Sequence, residues 1–200
     1  ELSALEIVSF LQRTEVPYQI LKITRKFMLL ELKTFDYNYA IKCLGGTIKI
    51  SSEIDNLEGH IRNSIKSNRI DYAINILESS QKSLDEAINT IKSITKEERI
   101  KALHKHAKEN DIPPSKSKKL DIELTLYKNQ IYKVVAASDP KSYRERDEVR
   151  PYFDPLQVVS VRLAKILINL AQPKKDSTIL DPFVGLGTII QEASFMGINA

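Results

Sequence analysis

Apolar residues fall at Leu5, Ile7, Val8 and Leu11, three or four apart, and Ser3 stands three before Glu6. That pattern predicts a helix over 3–13 opened by a capping box. Two strand-like runs follow, YQILKIT (18–24) and KFMLLELK (26–33), close enough to form a hairpin. A short helix near 36–43 then leads through Gly45-Gly46 to the alternating strand TIKIS (47–51).

Farther on, 57–67 is helical in pattern, and DYAINILE (71–78) places Tyr72, Ile74 and Ile76 on one strand face. Capping boxes from Ser83 to Glu86 and from Thr95 to Glu98 predict consecutive helices over 84–93 and 96–109. The second would carry Ile100, Leu103 and Ala107 as its core stripe. Pro113-Pro114 stops any helix. LDIELTLY (120–127), a turn at Lys128-Asn129-Gln130, and IYKVVAAS (131–138) then read as a hairpin. The segment 138–155, SDPKSYRERDEVRPYFDP, is charged, proline-rich and poor in apolar residues, the texture of a linker. From Leu156 a helix is predicted to Ala171, with Val159, Leu163, Ile166, Leu167 and Leu170 apolar, followed by the strand STIL (177–180).

The fold class expected is α/β, with an α+β N-terminal half. The order α-β-β-α-β over 1–55 is a ferredoxin-like β-α-β-β-α-β unit lacking its first strand. A second α/β unit occupies 56–138, a linker 139–155, and 156–200 the beginning of a Rossmann-like domain. The chain begins with glutamate rather than methionine, and is read as a piece of something longer.

Composition narrows the class without naming it. With 42% hydrophobic and 28% charged residues the chain is ordinary for a globular protein, and its apolar runs are too short to span a bilayer. No membrane partner is expected. The single cysteine, Cys43, leaves no intrachain disulfide framework and fits a reducing, cytoplasmic compartment. Charge is more informative by position: Arg99–Lys119 holds seven basic residues against two acids, while 1–60 holds seven against eight. Such a local excess suits a polyanion, because phosphate contacts release counterions, and equally suits a solvated face. Lys116, Lys118 and Lys119 in the PPSKSKK loop are the foremost RNA-contact candidates, with Lys105 and Lys108 on the predicted helix. Arg144 and Arg146 of the linker join them, or instead pair with neighbouring acids.

The stretch ILDPFVGLGTII (179–190) carries chemistry. A strand delivers Asp181 at its carboxyl end; Gly185 and Gly187 let the backbone turn and approach a ligand; Thr188 opens a helix to Met196 whose first amides face that ligand. A triphosphate loop needs lysine and then Ser or Thr after its second glycine, and a dinucleotide loop needs glycine where Ile190 stands. What remains is the D-x-x-x-G-x-G pattern of S-adenosylmethionine sites. His104 and His106, two apart on a predicted helix, would face different ways, so no metal site is expected. His60 has no ligand partner nearby in sequence.

DPFVGLGTIIQEA resembles the first S-adenosylmethionine motif of methyltransferases acting on exocyclic amines. RERDEVRPYFDP…VRLAKILINLA resembles the linker and helix before that motif in the archaeal and eukaryotic tRNA guanosine-10 N2-methyltransferases. The two N-terminal units are similar in order to that family's ferredoxin-like unit and THUMP RNA-binding domain. The resemblance implies S-adenosylmethionine as cofactor, with Asp181, Pro182, Phe183, Gly185 and Gly187 at its methionine end and Thr188 beside them. It places Tyr152, Phe153 and Pro155 in an aromatic-proline segment near the cofactor. It implies tRNA as partner, a small zinc-binding activator subunit as in part of the family, and catalytic residues beyond Ala200. Two other readings stay open: a non-catalytic THUMP RNA-binding fragment, and a THUMP methyltransferase acting on another tRNA base.

Overall fold

A computed structural model describes residues 1–106, 111–149, 158–174 and 176–200. The fold is mixed α/β, and the elements gather into two compact units: Glu1–Ile48 with Ser138–Ala200, and Lys49–Ala137.

The first unit opens with α1 (Leu2–Arg13), the strands β1 (Tyr18–Ile23) and β2 (Met28–Leu32), and α2 (Tyr37–Cys43). β1 and β2 form the predicted antiparallel hairpin. Its turn is closed by the Thr24 hydroxyl, which accepts from the N–H of Lys26 and of Phe27. Asp36 caps α2 by accepting from the Tyr39 N–H at 2.9 Å. The Ser3–Glu6 box does not form: α1 starts with no side-chain cap, and Glu6 is wholly buried. Glu6 has turned inward because the chain supplies it with buried donors, which outweigh one exposed cap bond.

The second unit is built on β3 (Lys49–Glu53), α3 (Leu57–Ser64), β4 (Arg69–Glu78), α4 (Gln81–Glu97), β5 (Lys101–His104), α5 (Pro114–Ser117), β6 (Ile122–Tyr127) and β7 (Gln130–Ala137). Its five strands lie in the order β3-β7-β6-β4-β5, with β4 parallel to both β5 and β6. β3, expected to complete the N-terminal unit, pairs antiparallel with β7 instead. The two-residue alternation of β4 and β6 sends Ile70, Tyr72, Ile74, Ile122, Leu124 and Leu126 into one core with Ala87, Ile91 and Ile94 of α4. Each such side chain contributes roughly 1.5–3 kcal/mol by burial. The odd positions Glu123 and Thr125 are buried too, on the other face of the sheet.

Two predicted helices, 84–93 and 96–109, are corrected. Ser80, not Ser83, caps a single helix α4 that runs unbroken through Thr95. The Thr95 hydroxyl, expected to cap a new helix, donates to the Ile91 carbonyl at 2.9 Å. The helix stops at a Schellman closure: the Arg99 N–H donates to Lys96 and the Ile100 N–H to Thr95, with Arg99 left-handed at φ 55°. Lys101–His104 then runs as an edge strand beside β4.

The chain returns to the first unit through α6 (Pro140–Glu148), α7 (Val161–Ala171) and α8 (Thr188–Phe195). The expected linker thus holds a helix, capped by Asp139 accepting from the Ser142 N–H at 3.2 Å and started by Pro140. α7 begins at Val161 behind the cap Ser160, later than predicted. Its buried face also differs: Leu163 and Leu167 are 40% and 41% exposed, while Lys165 and Asn169 lie inside. Gly45 and Gly46 admit the close approach of α1 and α7. A Cβ on Gly45 would stand 2.1 Å from the Arg162 carbonyl oxygen, and one on Gly46 2.3 Å from Ser3 Oγ. Among the described residues no helix is long and apolar enough to cross a membrane.

Candidate functional site

The glycine motif lies in the first unit. Thr178 and Asn199 form a parallel bridge, and the Ile179 N–H donates to the Asn199 carbonyl at 2.9 Å. This is the beginning of two parallel strands joined by α8, reduced from the predicted strand 177–180 to one bridge. Asp181 leaves its carboxyl end and folds back, Oδ1 accepting from the Phe183 N–H at 3.0 Å. Gly185 and Gly187 are both left-handed, at φ 49° and 75°, and the Gly187 N–H closes the turn on Val184 at 2.7 Å. A Cβ at either glycine would meet nothing nearer than 3.8 Å, so glycine is favoured by the backbone angle and not by space.

Gly187 is also the N-cap of α8, and no side chain caps the helix. Its first amides are therefore left for a ligand or water. Leu180 and Phe183 are 85% and 92% exposed, an apolar rim beside the loop. A shallow cavity lined by Leu167, Ile168, Ile179, Asp181, Pro182 and Ile189 opens next to it. Open amides, a carboxylate and apolar walls fit a cofactor that is part amino acid, part nucleoside. Replacing Gly187 by Ala should cost roughly 1–2 kcal/mol by forcing a Cβ into left-handed backbone. Amide exchange should quicken over 184–191 while the core of the second unit is unchanged; identical exchange in both proteins would dispose of the conformational explanation.

Buried charge holds α8 in place. Arg146 of α6 meets the Glu192 carboxylate with both Nε (2.8 Å) and Nη2 (3.2 Å), and its Nη1 donates to Ser142 Oγ at 2.6 Å. Lys165 Nζ lies 3.9 Å from Glu192 Oε2, over the Tyr143 ring, and donates to the Lys42 carbonyl. Burial pushes the Lys165 ammonium below the usual lysine range, with Glu192 opposing the shift. Burial likewise pushes the Tyr143 hydroxyl up. A second buried hub is Glu6, whose Oε1 accepts from the Gly45 N–H (2.7 Å) and Asn169 Nδ2 (3.0 Å), and Oε2 from the Gly46 N–H (2.8 Å). None of Glu6, Lys165, Asn169 or Glu192 stands out in the sequence. The available signal is two polar residues, Lys165 and Asn169, four apart inside the apolar stripe of one helix.

Arg146, a candidate RNA contact, thus has its guanidinium engaged within the chain, and with Glu192 rather than with a neighbouring acid. Arg144 is exposed on α6. Lys108, Tyr152, Phe153 and Pro155 lie outside the described residues.

In the second unit Lys116, Lys118 and Lys119 are exposed on and after α5. Lys105 sits 3.3 Å from Asp71 Oδ2. That carboxyl is held below the usual range, by its hydrogen bond from Arg69 above all. His104 and His106, expected on opposite sides of a helix, share a face because this stretch is a strand and its continuation. The His104 ring stacks on Tyr72 at 4.7 Å and lies 4.3 Å from His106. Burial first, then the His106 charge, pushes His104 below the usual histidine range. Among the described residues no three metal-ligating side chains gather.

A loop of this construction, at a strand end and opening a helix through two left-handed glycines, can receive a ligand at the helix N-terminus. Residues 148–200 match the family model described as RMKL-like, methyltransferase domain. A stretch of 54 residues is 43% identical to the tRNA (guanine(10)-N2)-dimethyltransferase of Methanothermobacter thermautotrophicus, and the resemblance drawn from the sequence is borne out there. The match takes in 27% of this chain and 16% of that protein's length. Among solved structures, the crystal structure of PH1313 from Pyrococcus horikoshii Ot3 aligns with a TM-score of 0.39 at 17% identity, over 66% of this chain and 46% of that one.

Proposed function

We propose that these residues are part of an S-adenosylmethionine-dependent tRNA (guanine-N2)-methyltransferase acting on guanosine 10. The observation that carries it is the Asp181–Thr188 loop, whose left-handed glycines leave the α8 amides uncapped. Asp181, Gly185, Gly187 and Thr188 would hold the cofactor, with Pro182 and Phe183 forming its apolar side. When bound, the cofactor supplies the methyl group. The match of 148–200 to a methyltransferase domain and the identity to a guanine-10 enzyme support this reading. The second unit, Lys49–Ala137, is the THUMP-like RNA-binding part, and Lys116, Lys118 and Lys119 provide phosphate contacts that carry no sequence preference.

The test uses the full-length protein, labelled S-adenosylmethionine and a tRNA transcript with guanosine at position 10. Label is expected in N2-methylated guanosine after nuclease digestion, and is expected to vanish when position 10 is changed. Label in a different nucleoside would move the substrate assignment; absence of transfer to any tRNA would remove it.

A further inference from the structure

The basic turn of the second unit is fastened to the sheet at both ends, at its start on β4 and β3 and at its end on β4. At its start the Ile112 N–H donates to Asn75 Oδ1 at 2.8 Å, and Asp111 Oδ1 lies 2.6 Å from Lys49 Nζ. At its end the fastening is reciprocal: the Asp71 N–H donates to Asp121 Oδ2 at 2.8 Å and the Asp121 N–H to the Asp71 carbonyl at 2.9 Å. Asp71 and Asn75 are four apart, hence on one strand face and about 13 Å apart at the usual strand rise. Ala73, between them on that face, is fully buried. Between the two fastenings stand α5 and its lysines.

The first fastening is itself braced from below. Asn75 Nδ2 donates to Glu123 Oε1 at 2.7 Å, and Lys49 Nζ reaches the same oxygen at 2.7 Å. The Glu123 side chain is 4% exposed and its Oε2 has no partner among the described residues. Glu123 is therefore a buried carboxylate held by two donors, each of which also holds the turn. Loss of either donor leaves the charge more poorly compensated, so the arrangement favours one position of the segment. Lys49 and Asn75 are themselves too buried to meet a phosphate.

We propose that Asn75 and Lys49 are positioning residues for RNA binding: they fix the segment 111–121 on the sheet so that Lys116 and Lys119 are presented together to a phosphate backbone. This rests on the reading that the second unit binds tRNA. A free loop bearing the same lysines would lose conformational entropy on meeting each phosphate, whereas a fastened one has lost it in folding.

The experiment measures tRNA affinity of the full chain against salt concentration. Lys116→Glu with Lys119→Glu should lower the slope of log affinity on log salt by about two, one for each phosphate that the pair no longer neutralises. Asn75→Ala should lower it by about one or more although it removes no charge. Asp111→Ala, at a half-exposed side chain, should do the same without opening the core. A merely structural role would weaken binding at every salt concentration alike and leave the slope unchanged. If the double lysine variant shifts the slope while Asn75→Ala and Asp111→Ala keep it, the positioning role is overturned and the tRNA reading survives. If the double lysine variant binds as before, the tRNA reading of this surface fails. Should Asn75→Ala not fold, amide exchange in the unaltered chain decides: Ile112 is expected to be protected, and exchange at the rate of an open loop would overturn the proposal.

Discussion

Glu6→Ala should destabilise the first unit by roughly 3–5 kcal/mol. Glu6 is fully buried and receives three hydrogen bonds, two from the consecutive amides of Gly45 and Gly46 and one from Asn169. Removing the carboxylate strands the two glycine amides and takes one acceptor from Asn169, and each stranded donor is worth about 1–3 kcal/mol. Asn169 Nδ2 also donates to the Cys43 carbonyl at 3.0 Å, which moderates its share of the loss. Glu6→Gln keeps the shape and one good acceptor, and should fall between the two. Urea unfolding followed by exchange of the α1 and α7 amides reads the effect. A loss under about 1 kcal/mol for the alanine variant would mean the hub contributes little.

Arg146→Ala carries a comparable penalty for a different reason. The Glu192 side chain is 2% exposed against 28% for Arg146, so truncating the arginine leaves a buried carboxylate with Lys165 at 3.9 Å as its remaining cation among the described residues. Breaking one side of a buried pair costs about 3–5 kcal/mol, whereas replacing both partners by apolar groups costs far less. The double variant Arg146→Met with Glu192→Met should therefore be more stable than Arg146→Ala. Because Glu192 belongs to the helix that follows the glycine loop, the single variant should also speed exchange across α8. Additive stabilities in a double-mutant cycle would sink the coupling.

The readable part of this chain is the part governed by local pattern. The hairpin at Thr24, the helix capped by Asp36 and the strands β4, β6 and β7 are visible because alternation and cap chemistry lie within a few residues. Arg99 shows why α4 and β5 are hard to separate in the sequence. A Schellman stop normally advertises itself with glycine, and here an arginine takes the left-handed position, so the helical pattern reads on toward His104. β3 is assigned to the wrong unit because its partner β7 is nearly a whole unit away in sequence, and alternation alone does not choose a partner. At the candidate site, Asp181 and the two glycines are legible from spacing. The Glu6 and Glu192 hubs are not, since a buried carboxylate looks like any surface one until the donors from distant segments have been brought to it.

The first unit is split by the second: residues 1–48 must wait for 138–200. The two cut ends meet where the Ser138 N–H donates to the Ile48 carbonyl at 2.9 Å. During synthesis α1 emerges before the inserted unit, yet the bond between Glu6 and Asn169 spans 163 positions. The inserted unit has its strands and helices complete by Ala137, so it can close while α1 still lacks a partner. Pairings of such sequence separation form late and slowly. On the ribosome the nascent chain would therefore acquire its basic surface before its glycine loop, and α1, with its apolar stripe and acidic Glu6, would be the segment most in need of shelter from other chains.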